Sequence, residues 1–193
     1  METAMILNSV HESSLRNRRQ RGFTLVEVLM SMVVITVGLV TLLGAFSVAM
    51  TATQMAKQDM VAKQLAQEAM ESIVTARETA NVTWPQILNS GGAGAGIFVP
   101  GFQPIRKAGA DGVIGTADDA ADVMETVQDP GPDGIVGTPD DPPPTPLNNF
   151  QRQIVIAPTG TGDLRTVTIT VQYTPARGGV RSYVLSGMIS QYR

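Results

Sequence analysis

The sequence has no cysteine among its 193 residues and only one histidine, His11. Without cysteine there is no disulfide and no thiol nucleophile, and without further histidines the usual ligand sets of zinc sites are missing. Histidine is also the side chain that most often acts as a general base near neutral pH. A catalytic site would therefore have to be built from carboxylates, and the clustered aspartates lie in turn-like sequence. We expect a protein that is not an enzyme and has no catalytic residues.

Charge is sparse and unevenly distributed, with 14 basic and 17 acidic side chains. Residues 1–22 hold four arginines against two glutamates and carry +2, whereas the other 10 basic and 15 acidic side chains sum to −5. Because the chain after residue 22 is net negative, it lacks the basic surface of a nucleic-acid-binding protein. No direct nucleic-acid binding is therefore expected. The leader arginines, Arg16, Arg18, Arg19 and Arg21, resemble the positive flank that stays on the cytoplasmic side of a membrane span.

A long apolar run follows these arginines, and its 23 residues from Val28 to Met50 carry no charge. A helix from Phe23 to Met50 would be about 42 Å long, which exceeds the roughly 30 Å of a bilayer's hydrocarbon core. An ordinary secretory signal peptide has a shorter apolar core that ends in a small-residue cleavage site. One carboxylate, Glu27, lies just inside the run, where an ionisable group needs a partner.

The stretch Arg21-Gly22-Phe23-Thr24-Leu25-Val26-Glu27 resembles the prepilin signature of type IV pilins and of type II secretion pseudopilins. In that family a membrane peptidase cuts after the glycine and methylates the new N-terminal phenylalanine. The resemblance implies cleavage between Gly22 and Phe23, N-methylation of Phe23, and an assembly role for Glu27. The alternative for Glu27 is a carboxylate at the membrane interface of an uncleaved anchor.

The resemblance also implies a set of partners. They are the prepilin peptidase, other pilin or pseudopilin subunits bound through the N-terminal helix, an inner-membrane assembly platform and membrane lipid. Before assembly the protein would cross the inner membrane once, with its N-terminus in the cytoplasm and its C-terminal domain in the periplasm. After assembly it would lie in a pilus at the cell surface.

Beyond Met50 the apolar residues change to three- and four-residue steps, which predict one buried stripe on a continuing helix. The stripe consists of Ala62, Leu65, Ala66, Ala69, Ile73 and Ala76. Asp59 and Lys63 are spaced for an i,i+4 ion pair on another face of this helix. Pro85 and the residues before it predict the end of the helix near residue 80.

Strand patterns dominate the C-terminal part of the chain. Apolar and polar residues alternate from Thr166 to Tyr173, which is typical of an antiparallel strand with one buried face. Ile154–Ile156 and Val180–Tyr192 predict two further strands. The apolar face of such a sheet needs a cover, and the helix stripe is available. We therefore predict an α+β fold, the type IV pilin fold, in which the C-terminal half of a long helix packs against a small antiparallel sheet.

Between helix and sheet lies a Gly-, Pro- and Asp-rich region with an internal repeat at an offset of 22 residues. The segment DGVIGTADD (111–119) is echoed by DGIVGTPDD (133–141). Asp-Gly favours tight turns, and clustered carboxylates suit calcium, although the spacing is not that of an EF-hand. The candidate calcium ligands are Asp111, Asp118, Asp119, Asp133, Asp140 and Asp141. The interpretation that we favour is a pair of acidic, solvated turns without metal. No other cofactor is expected.

These patterns divide the chain into five parts. They are a cleaved cytoplasmic leader (1–22), a transmembrane and filament-core helix (23–50), its amphipathic continuation (51–80), the loop region (81–149) and the sheet (150–193).

Within the family the chain is most similar to PilV-type minor pilins, in the run Glu27-Val28-Leu29, the step Gly38-Leu39-Val40 and the segment 66–69. This similarity implies a non-catalytic minor subunit of a type IV pilus. The alternatives are a type II secretion pseudopilin and a membrane-anchored periplasmic calcium-binding or adhesive module that does not polymerise.

Overall fold

A computed structural model describes residues 22–92, 94–160, 162–175 and 178–192. The helix α1 spans Leu25–Glu78, and two short 3-10 helices span Trp84–Gln86 and Ala117–Ala121. The strands are β1 (Gln103–Pro104), β2 (Thr126–Val127), β3 (Thr145–Pro146), β4 (Phe150–Thr159), β5 (Leu164–Tyr173) and β6 (Arg181–Ser190). The chain divides into two compact units, residues 1–47 and 48–193, and each is described by itself.

The described part of the first unit is the N-terminal portion of α1, which runs without interruption through Gly38 and Gly44. Its hydroxyl groups bond within the helix, as Thr36 Oγ1 donates to the Met32 carbonyl at 2.7 Å and Thr41 Oγ1 to the Val37 carbonyl at 2.8 Å. Polar groups satisfied in this way suit a segment surrounded by hydrocarbon. The helix is long and apolar enough to cross a membrane.

The second unit contains a four-stranded sheet in the order β1-β4-β5-β6, with every neighbouring pair antiparallel. In β5 the predicted alternation is observed, because Val167, Ile169 and Val171 are fully buried while the threonines between them are partly exposed. β1 comes from the loop region and pairs Gln103 with Arg152 of β4. The sequence does not reveal β1, since two residues are too few to show a period. β2 and β3 pair separately as a small ribbon.

The core of this unit lies between the sheet and the second half of α1. All six residues of the predicted stripe are buried, and Val61 joins them. Ala62, Ala66 and Ala69 are completely buried, and their small side chains allow close approach to the sheet. The predicted fold class is confirmed: a long N-terminal apolar helix packs against an antiparallel sheet in an α+β arrangement consistent with the type IV pilin fold.

The predicted ion pair between Asp59 and Lys63 is wrong. Asp59 Oδ1 instead accepts a hydrogen bond from the Tyr173 hydroxyl at 2.5 Å, and Asp59 Oδ2 lies 3.5 Å from Arg181 Nη1. The Tyr173 ring is buried, so its hydroxyl needs an acceptor at the edge of the core. This tertiary bond takes the carboxylate away from the weaker pair along the helix.

Candidate functional site

Gly22, Phe23 and Thr24 precede the first residue of α1. Thr24 caps the helix, because its Oγ1 accepts the Glu27 N–H at 3.2 Å and its carbonyl accepts the Val28 N–H at 3.2 Å. Thr-x-x-Glu is the sequence pattern of a capping box, and the half that involves the threonine oxygen is formed here. This cap sets the start of the helix two residues after Phe23. Sequence reasoning missed it, although the spacing was present.

Glu27 lies in the first turn of α1, where a carboxylate interacts favourably with the helix dipole. Its side chain is exposed, and within the described residues no cation pairs with it. The Phe23 side chain is 83% exposed, and a Cβ added at Gly22 would meet nothing within 4 Å. Arg16 to Arg21 lie outside the described residues. The processing and assembly roles of Gly22, Phe23 and Glu27 stay predictions.

Every side chain of α1 from Leu25 to Met50 is exposed. Seventeen large apolar side chains within this stretch are among the exposed ones, including Leu25 at 77% and Met50 at 54%. Apolar surface of this extent marks contact with lipid or with other proteins. The same helix buries its apolar stripe from Val61 onwards, so its two halves have different partners.

The first copy of the repeat forms a loop, residues 109–119, that is organised by Asp119. Asp119 Oδ1 accepts the Gly109 N–H at 2.9 Å, and Oδ2 accepts the Gly115 N–H at 2.6 Å. A Cβ on Gly109 would collide with Asp118, and Gly115 has a φ of +95°. Glycine is therefore required at both positions, at one for space and at the other for backbone conformation.

Asp118 and Asp111 complete this first loop. Asp118 Oδ2 accepts the Asp111 N–H at 3.1 Å, and Asp118 Oδ1 accepts the Thr116 hydroxyl at 2.6 Å. Asp111 Oδ1 accepts the Val113 N–H at 2.8 Å. The three aspartates thus bond the backbone and hydroxyl groups of their own loop.

The second copy, residues 131–141 and here the second loop, repeats these bonds at the offset of 22 residues. Asp141 accepts from Gly131 and Gly137, Asp140 from Asp133 and Thr138, and Asp133 from Ile135. Gly137 also has a φ of +95°. The sequence repeat is therefore a repeat of local structure.

The two loops differ in burial, and the pKa values of Asp119 and its counterpart Asp141 shift in opposite directions. Burial raises the pKa of Asp119 and outweighs the bonds from Gly115 and Gly109 that lower it. At Asp141 the loss of solvent on its own would raise the pKa. Hydrogen bonds from the N–H groups of Gly137, Gly131 and Thr138 outweigh this effect, so the net pKa is lowered. The predicted pair of solvated turns is wrong for the first loop, because Val113, Ile114, Thr116 and Asp119 are buried against the core.

Each loop brings carboxylate oxygens of its three aspartates within 4.8 Å of one another. This spacing is compatible with a bound cation, but the same three carboxylates already accept N–H and O–H groups of the loop. The hydrogen bonds alone account for the clustering of the six aspartates. Calcium binding therefore stays a prediction.

Residues 17–43 match the family model described as the prokaryotic N-terminal methylation motif. The match includes Gly22, Phe23 and Glu27 and continues into the exposed half of α1. The motif indicates a type IV pilin-like or pseudopilin protein. No curated protein and no solved structure matches the chain.

For a pilin-like protein the motif implies processing by a prepilin peptidase and assembly with other pilins. The exposed apolar helix that carries it indicates a membrane-anchored, single-pass protein. Proteins of this type are generally structural rather than enzymatic.

The buried charges of the second unit have a structural explanation. Burial lowers the pKa of the Arg152 guanidinium, and the carboxylates of Glu125, Glu68 and Asp119 oppose this shift. Arg152 Nη1 also donates to the Leu65 carbonyl of α1 at 3.4 Å. One cation of β4 thus interacts with the helix, with the first loop and with the segment before β2. Such a group stabilises an arrangement of elements.

Proposed function

We propose that this protein is a non-catalytic minor pilin of the PilV type. A prepilin peptidase cuts it between Gly22 and Phe23 and methylates Phe23, and the product assembles into a type IV pilus. The observation that supports this proposal is the position of the methylation motif. The motif leads directly into a helix. The first half of this helix exposes every side chain, and the second half contributes to the core of a folded domain.

Glu27 directs assembly in this proposal. Cleavage leaves a cationic amine on Phe23, and across neighbouring subunits that amine pairs with Glu27. A carboxylate without a partner is strongly penalised in an apolar helix bundle, so the pair fixes the axial register of one subunit against the next. Among the described residues no cation pairs with Glu27, so its carboxylate is available to the proposed partner.

The basic leader also sets the orientation of the protein in the membrane. The leader arginines stay in the cytoplasm and hold Gly22 near the cytoplasmic face of the inner membrane. Glycine there lets an extended backbone enter a protease cleft without a side-chain clash. The domain of residues 48–193 lies in the periplasm until assembly carries it into the filament.

Two substitutions test processing and assembly separately. In a strain with active peptidase, Gly22→Val should block cleavage, whereas Glu27→Gln should be cleaved and methylated but fail to enter sheared filaments. Glu78→Gln is the matched control, because it neutralises an exposed carboxylate at the other end of α1. Incorporation of Glu27→Gln at the level of Glu78→Gln would contradict the proposal.

The finer assignment to a pilus rather than a secretion pseudopilus has its own test. Deletion of the protein should reduce surface piliation and leave the release of secreted proteins unchanged. Loss of secretion with normal piliation would favour the pseudopilin alternative.

The non-polymerising calcium module is the second alternative, and the converging aspartates are the observation in its favour. Since loop hydrogen bonds already occupy these oxygens, we expect the same unfolding temperature for the full chain in detergent with calcium and with a chelator. A calcium-dependent increase that Asp140→Asn abolishes would instead establish the metal site.

A further inference from the structure

The second loop presents apolar side chains that the first loop buries. Val113 and Ile114 are 0% and 5% exposed, whereas their counterparts Ile135 and Val136 are 61% and 56% exposed. The local hydrogen bonds of the two loops are the same, so the difference lies in what covers them. The chain thus contains one covered and one uncovered copy of a single structural motif.

Two sets of residues cover the first loop. The Val99 N–H donates to the Gly115 carbonyl at 2.8 Å and the Ile154 side chain lies against Gly115 on one side, while α1 and the residues just after it contact the loop on the other. Ser72 Oγ accepts the Ile114 N–H at 3.1 Å, and Asn81 Nδ2 donates to the Asp111 carbonyl at 2.8 Å. Ile114 borders a groove on the helix face that includes Ser72 and Ala76. On the helix side, the contacts of the loop are made by the Ile114 side chain, the Ile114 N–H and the Asp111 carbonyl.

The equivalent groups of the second loop lack these contacts. Among the residues that the structure describes, the Val136 N–H and the Asp133 carbonyl have no protein partner. The first loop already occupies its binding surface on this chain's own helix, at Ser72 and Ala76, which we term the seat of the first loop. No part of the described chain covers Ile135 and Val136, so these two side chains are open to contact with another molecule.

We propose that the second loop docks on the helix of a neighbouring pilin-type subunit, a proposal that rests on the function proposed above. The seat of the first loop defines the chemistry of that helix face. It offers a small apolar hollow for Ile135 and Val136, a hydroxyl that accepts the Val136 N–H, and a side-chain amide that donates to the Asp133 carbonyl. Because Asp133 and Asp140 border the apolar pair, basic residues around the hollow favour the encounter electrostatically.

Single cysteine variants test the burial of the loop on assembly, because the natural chain has no cysteine. Val136→Cys should react with a maleimide in the unassembled full chain and become protected several-fold in sheared filaments. Val123→Cys is the control, since Val123 is 71% exposed and lies outside both loops; its labelling corrects for general shielding. Equal labelling of the two variants in filaments would overturn the proposal.

A photoreactive benzoylphenylalanine at position 135 identifies the covering partner. We expect adducts in filaments that map to a helical peptide of a different pilin-type subunit. Adducts confined to lipid, to a second copy of this chain or to a protein outside the filament would overturn the assignment. Absence of the chain from filaments would instead refute the proposed function, so the two failures are distinguishable.

Discussion

Arg165 of β5 joins the sheet to the segment that follows α1. Its guanidinium lies 4.2 Å from the centroid of the Trp84 ring, and its Nη1 donates to the carbonyls of Trp84 and Ile87. Arg165→Met removes the donor to both carbonyls and the cation–π contact. We expect a loss of about 3 kcal/mol in the free energy of unfolding.

Urea unfolding of the full chain in detergent measures this loss, with the fluorescence of Trp84, the only tryptophan, as the reporter. Arg181→Met is the control, because Arg181 is half exposed in its ion pair and its replacement should change stability by about 0.5 kcal/mol or less. Equal effects of the two substitutions would show that the buried contacts of Arg165 contribute little.

Glu125 gives stability a specific pH dependence. Burial raises the pKa of its carboxyl above the ordinary value of 4.5, the charge of Glu68 adds to the shift, and Arg152 and Lys107 oppose it. The folded chain thus holds this proton more tightly than the unfolded chain, and stability falls as pH rises from the ordinary pKa through the raised one. Glu125→Gln should therefore gain stability relative to the natural chain over the pH range that begins at 4.5 and extends through the raised pKa.

Urea midpoints at the two ends of this pH range provide the measurement, and Glu78→Gln serves as the exposed control. A stability difference between Glu125→Gln and the natural chain that does not change with pH would contradict the raised pKa.

The second half of α1 depends on small residues at its sheet contact. Ala66 is completely buried and Gln67 is exposed. Ala66→Leu adds three heavy atoms to a filled interface and should destabilise the domain by about 1–3 kcal/mol. Gln67→Leu places the same leucine side chain on the open face and should leave the urea midpoint nearly unchanged. Equal midpoints for both variants would mean that the interface has spare room.

The two loops provide a matched pair of double substitutions. Val113→Ser with Ile114→Ser removes two buried aliphatic side chains and should lower the unfolding free energy by at least about 3 kcal/mol. Ile135→Ser with Val136→Ser alters only exposed positions and should change it by about 0.5 kcal/mol or less. Chemical denaturation of the unassembled full chain compares them. Similar losses would show that the second loop is also packed in the isolated chain.

The periodic elements were predictable from the sequence, because burial leaves a regular pattern in a helix or strand. The stripe from Ala62 to Ala76 and the alternation in β5 were both found as expected. Contacts between elements distant in sequence were not predictable in the same way. The repeat indicated equal local structure for the two loops, but only the fold determines that Ser72 and Asn81 cover the first loop and leave the second open.

At the scale of the whole molecule, one helix serves two environments. Its apolar first half, with Glu27 as the single charged residue, continues the methylation motif and exposes its side chains, while its second half contributes to the core of the domain. The motif and the hydropathy change were both visible in the sequence, so this division could be predicted. The processing of the leader is a covalent event, and neither the fold nor the motif by itself records whether it occurs.

Mass spectrometry of the N-terminal peptide, on protein from the native envelope or from sheared surface filaments, tests the central proposal most directly. The predicted chain begins at Phe23 and carries one added methyl group on its amine. A chain that still contains Arg16 to Gly22 in a strain with active prepilin peptidase would contradict the proposal and leave a permanently anchored module as the better explanation.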